Sequence, residues 1–337
     1  ADDFRAIIRA MAKLYHLSAL LLKPGETPRY TDADARSEYI DELWIPEQGF
    51  SPLDAPPKVS VDKAGEHVHD PESLVIAIPG RDRVLIYPIS LLTKHPVIQD
   101  EVDGRSLTLA WSSTSHTFAL LESVGTIPLR FSHTMNLLFS QQTLLERSTR
   151  SEWSALLAAP LRRAPSERRG LAHVPGAIVL PWRAALRLYP AARVATPTDP
   201  YSRHKDFYKA HRERFDRPSR DSRVLVLTLD GRPHIIEGRT MKSAPFYQSR
   251  AGQTPVLVVS DQGGRAAYDR RVEGKLLHFD LHRRDLESGV GLLVDRETGS
   301  IWEGLTGRAI SGPYNGARLP PLIWHEMPAE SAAAFYP

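Results

Sequence analysis

Two stretches of this chain read as versions of each other, and that repeat limits what it can fold into more than any other feature. Glu146–Trp153 reads ERSTRSEW and Asp295–Trp302 reads DRETGSIW, 149 residues further on, with four identities and an acid at the first place of both. Arg83 and Arg232 stand at the same separation, as do Pro96 and Pro245. With a one-residue shift, Gly104 matches Gly252, Ser112 matches Ser260 and Ala119 matches Ala267. Self-similarity at this separation implies two copies of one folded unit. Two such copies commonly face each other about a pseudo-twofold axis, and a cleft between them is the default place for a ligand.

The local patterns agree with a strand-rich unit. Leu74–Ile78 and Val84–Tyr87 are short β-type runs around the turn Gly80-Arg81-Asp82, and Leu107–Trp111 and Phe118–Leu121 follow the hairpin signal Asp103-Gly104. Phe131 to Leu145 has a more helical pattern. The second half repeats the order with Val224–Leu229, Ile235-Ile236, Pro255–Val259, Ala266–Tyr268 and Lys275–Phe279. Ahead of all this, Phe4, Ile7, Ile8, Met11, Leu14, Leu17 and Leu21 recur at three- and four-residue steps, as on one face of an amphipathic helix. The expected fold is α+β and strand-rich: an N-terminal helix and extended segment over 1–48, a first repeat lobe over 49–195, a linker over 196–221 and a second lobe over 222–337.

Composition removes several function classes. There is no cysteine, so disulfides, thiolate metal sites and cysteine nucleophiles are all excluded. Lys plus Arg is 43 against 40 for Asp plus Glu, a net charge of +3, and no face with clustered positive charge is evident, so no nucleic-acid partner is expected. The densest basic groups are Arg162, Arg163, Arg168 and Arg169, and the stretch from Arg203 to Arg223, which acids and aromatics interrupt. No apolar run reaches the roughly 18–20 residues of a spanning helix. The first residues lack the basic, apolar and small-residue order of a signal peptide, although Ala followed by two acids is how a cleaved chain would begin.

Several segments in order resemble the domain-of-unknown-function family 3179. They are GFSPLDAPPKVSVDKA at Gly49–Ala64, IYPISLLTKHPVIQDEVDG at Ile86–Gly104, DPY at Asp199–Tyr201 and DRETGSIWEGLTGRAISGP at Asp295–Pro313, with Trp182 and Tyr189-Pro190 between them. The resemblance implies a bacterial protein, often exported or envelope-associated, with no assigned activity. The family pattern joins a Tyr-Pro, a Trp-His-Glu and a short Cys-Pro-Leu-Cys-Gly run, a set suited to metal or thiol chemistry. Here Tyr87-Pro88, His95 and the acid Asp100 match, but the cysteine run falls on Ser112-Ser113-Thr114-Ser115-His116. In the second copy the same places read Ser260-Asp261-Gln262-Gly263, with Ala244 near the place of His95.

A neutral hydroxyl is a poor substitute for a thiolate, so the expectation is a degenerate site at His95, Asp100, Ser112, Ser115 and His116, with no metal and no cofactor. A serine, a histidine and a carboxylate also invite a nucleophile–base–orienter reading, but no Gly-x-Ser-x-Gly elbow accompanies them. Glu66-His67-Val68-His69-Asp70 would put both histidines on one side of an extended strand, and His278 and His282 are spaced as on a zinc-binding helix within a strand-like run. Tyr87, Trp111, Trp153, Trp302, Tyr314 and Trp324 are expected in the core. The sequence points to a non-catalytic interaction or structural subunit of a bacterial envelope or periplasmic assembly, docking a protein partner through Phe4, Ile7, Ile8, Met11 and Leu14. The competing expectations are a metal-binding protein or enzyme at the degenerate site and a small-molecule binder in the cleft between the lobes.

Overall fold

The structure is a computed structural model that describes residues 52–66, 68–113, 115–125, 127–138, 141–162, 170–197, 223–229, 232–242, 244–285 and 290–336. The N-terminal helix with Phe4, Ile7, Ile8, Met11 and Leu14, nearly all of the 196–221 linker, His67, and Arg163, Arg168 and Arg169 lie outside those residues. What is described is strand-rich and arranged in several sheets, with short helices such as Ile89–Lys94 and Trp182–Leu188.

The chain divides into two compact units. One holds Leu92–His173 with short flanking pieces up to Ala55 and from Met327, and the other holds Pro56–Leu91 and Val174–Glu326. This partition crosses the 49–195 lobe expected from sequence order. The reason is strand pairing: Ile178–Pro181 lies between Leu74–Pro79 and Gly264–Asp269, with Val179 opposite Ile76 on one side and Arg265 on the other. A sheet edge, invisible in sequence order, has drawn residues 56–91 and 174–195 into the second unit.

In the first unit a five-stranded sheet runs Leu53–Asp54, Val97–Val102, Arg105–Ser112, Thr117–Val124, Gly170–His173. Arg105–Ser112 is buried along six successive residues, as expected of a strand covered on both faces. A second, four-stranded sheet runs Ala159–Arg162, Glu152–Ser154, Gln141–Glu146, Phe131–Leu138. Phe131 to Leu145 is therefore a hairpin of strands, not a helix, with Phe131 opposite Glu146 and Leu138 opposite Gln141. Tertiary contacts override the helical spacing. The fully buried Gln99 side chain donates to Leu129 O at 3.2 Å and accepts from Phe131 N at 2.9 Å, which holds the backbone extended where that strand begins. The Phe131 ring then meets Trp153 edge-on, centroids 5.9 Å apart.

The second unit contains an equivalent pair of meanders. Phe246–Ala251, Thr254–Asp261 and Gly264–Asp269 form three consecutive strands of an eight-stranded sheet, and Phe279–Arg284, Gly291–Asp295, Ile301–Glu303 and Arg308–Ser311 form a four-stranded sheet of their own. Gln248 is here the bracket, accepting from Phe279 N at 2.8 Å and donating to Phe279 O at 2.7 Å. Phe279 meets Trp302 edge-on at 5.8 Å. The core around it includes Ile86, Leu180, Trp182, Leu257, Leu293 and Leu305.

The repeated sequence forms the same turn in both units. Glu146 accepts from Thr149 N, Thr149 Oγ1 and Ser148 Oγ, and Asp295 accepts from Thr298 N and Thr298 Oγ1. The threonine hydroxyl lies 2.7 Å from the following serine hydroxyl in each, Ser151 and Ser300. The indoles differ: Trp153 donates to Ser151 Oγ at 2.8 Å, whereas Trp302 donates directly to Asp295 Oδ2 at 2.9 Å. Both turns pass through a left-handed residue, Arg150 at φ 59° and Gly299 at φ 71°. The next turn does so again with Ala158 at φ 50° and Gly307 at φ 62°, and at Gly307 a Cβ would come within 2.7 Å of the Tyr268 ring.

Gln99→Leu keeps the bulk but leaves the Phe131 N–H unpaired and Leu129 O with only the 3.5 Å approach of Ser123 Oγ. An unsatisfied buried polar group costs about 1–3 kcal/mol, and the variant is expected to lose about that much in chemical denaturation. A loss under about 0.5 kcal/mol would show that the bracket does not hold the sheets.

Candidate functional site

The five family-site residues all lie in the first unit. Val97 is opposite Ala110, and Pro96 O accepts from Trp111 N at 2.8 Å, so the chain at His95 runs beside Ser112. Ser112 closes its strand opposite Thr117. The link between them carries Ser115, fully buried, and His116, held left-handed at φ 51° with its ring edge-on to Trp111 at 5.9 Å. His95, Ser112, Ser115 and His116 thus gather at one end of the sheet. Asp100 does not join them. It is opposite Leu107, five residues down the ladder from Ser112, which at about 3.3 Å per residue is roughly 16 Å away. It accepts from the neighbouring Glu101 N at 2.9 Å, so the serine–histidine–carboxylate alignment is not formed with Asp100.

The groups that organise this corner come from elsewhere in the chain. Ser115 Oγ donates to Gln141 Oε1 at 2.9 Å, Gln141 Nε2 reaches Thr117 Oγ1 at 3.5 Å, and Thr117 Oγ1 donates to Ser115 O at 3.3 Å. Gln141 lies 26 residues from Ser115, and no local motif marks it. Only the pairing of the second sheet, unseen while 131–145 reads as helix, brings it here. Beside this corner is a small recess with enclosed room for about one water, between Pro96, Ala110, Trp111, Phe118, Leu144 and Leu156. Ser112, Thr117, Gln141 and Gln142 supply its polar atoms.

The equivalent corner of the second unit is charged. By ladder position Asp261, opposite Gly264, takes the place of Ser112; the sequence match to Ser260 is displaced by one residue. Asp261 is 2% exposed, accepts from Gly291 N at 2.6 Å and pairs with Arg284 at 2.5 Å. The connection that carries Ser115 and His116 in the first unit is here the two-residue turn Gln262-Gly263.

Of the Glu66–Asp70 run, His67 lies outside the described residues, Glu66 ends the 3-10 turn Val61–Glu66, and Asp70 accepts from Glu72 N in a turn of its own. His278 bonds Glu297 at 2.7 Å, while His282 sits at an irregularity of the Phe279–Arg284 strand, where the register jumps from Leu281 to Arg283. Among the described residues no three His, Asp or Glu side chains are placed to share a metal ion. Tyr87, Trp111, Trp153, Trp302, Tyr314 and Trp324 are all buried.

Residues 47–337 match the family described as "Protein of unknown function (DUF3179)". The chain belongs to the DUF3179 family. No curated protein and no solved structure matches it. The thiolate–imidazole chemistry that the family pattern implies does not fit this DUF3179 protein. Both thiol places carry hydroxyls, and that of Ser115 is committed to an amide. No helix among the described residues is long and apolar enough to cross a membrane.

Two histidines of this unit are held below their ordinary value of 6.5. Burial lowers His173, against a smaller upward push from its bond to Leu156 O at 3.0 Å, and burial lowers His133. The unfolded chain therefore takes up protons near 6.5 more readily than the folded one. Stability is full above that pH and falls as the pH drops below it, until the folded values are passed. Chemical denaturation should show a lower unfolding free energy at pH 5.5 than at 7.5. In the double variant His133→Gln/His173→Gln that difference should shrink, and an unchanged difference would assign it to other groups.

Proposed function

We propose that this DUF3179 protein works by binding rather than catalysis, as an interaction or structural subunit of an assembly at the bacterial envelope, and that its two units descend from one duplicated ancestor. The observation that carries the reading is the neutral Ser115–Gln141–Thr117 corner in the place of the family's thiols. A catalytic site needs a nucleophile with an adjacent base or an activating metal. Here the hydroxyl of Ser115 is spent as a donor to an amide oxygen, which cannot take a proton from it, and the nearest matching acid, Asp100, stands well down the strand.

Three parallels support the duplication. Gln99 and Gln248 bracket the same backbone position, Glu146 and Asp295 close the same turn, and Trp153 and Trp302 meet the same aromatic partner. The Ser112 and Asp261 corners differ: one is neutral and the other holds an ion pair. That pattern keeps the scaffold while the ancestral chemistry is dropped. The envelope setting rests on the family resemblance, and the partner-docking role rests on the apolar face of Phe4, Ile7, Ile8, Met11 and Leu14.

The test is a gentle affinity purification from native membranes and soluble extract, with metal analysis of the same sample. The expected result is a stoichiometric complex with one other protein and no bound zinc or copper. Removing residues 1–22 should release the partner. Ser112→Cys/Ser115→Cys should gain zinc or copper affinity that the natural chain lacks. A chain that elutes alone with about one equivalent of either metal, lost in His95→Ala, would overturn the reading.

A further inference from the structure

We draw no further inference here: the strongest candidate, the largely buried side-chain cluster of the second unit in which Arg223 and Arg265 share the Glu326 carboxylate at 3.0 and 3.1 Å, is an ion-pair set whose charges answer one another, and no second observation among the described residues points to a ligand there.

Discussion

A single glutamine side chain in each unit joins one sheet to the next, and much of the remaining architecture depends on it. Gln99 and Gln248 act as extra peptide groups: each offers an amide oxygen to the N–H that opens a following strand and an amide hydrogen to a nearby carbonyl. Backbone groups at the mouth of a strand would otherwise be buried without partners, which folded chains rarely tolerate. With the mouth fixed, the Phe at that position turns inward, and its ring reaches the Trp two strands along in sequence. The acid–threonine–serine turn then holds that indole. Sheet, aromatic pair and turn form one connected set of constraints, which accounts for their joint presence in both units.

How much of this was legible beforehand depends on the range of the interaction. The ERSTRSEW and DRETGSIW segments announced themselves because the turn is local: acid, threonine, serine and tryptophan all lie within eight residues. The strands from Leu74 to Leu121 were readable from alternation and from Asp103-Gly104, whose residues both have positive φ. The 131–145 hairpin was not, because its extended conformation is imposed by Gln99, some 30 residues earlier. The unit boundaries were missed for a similar reason, since Ile178–Pro181 pairs with strands about 100 residues before it and 85 after it. At the site, the resemblance pointed to His95, Asp100, Ser112, Ser115 and His116 together, but the ladder carries Asp100 away from the other four. Gln141, the residue that organises the corner, carries no motif at all.

The two corners settle their polar groups in contrasting ways. In the first unit the residues are small and neutral, and an amide from the neighbouring sheet takes up one hydroxyl. In the second, a carboxylate is compensated by a guanidinium and a backbone N–H. A buried carboxylate demands such partners, so that corner is rigidly specified, whereas the neutral one can change residues at lower cost. The asymmetry is one of charge: one corner holds an ion pair, the other only neutral groups.

Gly307 ties one position of the second unit to another. At the matching turn of the first unit, Ala158 tolerates a left-handed backbone at the modest cost of its methyl. Beside Gly307 the Tyr268 ring fills the room a methyl would need, and its hydroxyl is anchored on Leu305 O at 2.6 Å. An alanine fits there only if the tyrosine is replaced as well, and losing the tyrosine would open a hole in the core and strand a carbonyl. Positions 268 and 307 are therefore bound to each other: a side chain at 307 is open only through a change at 268.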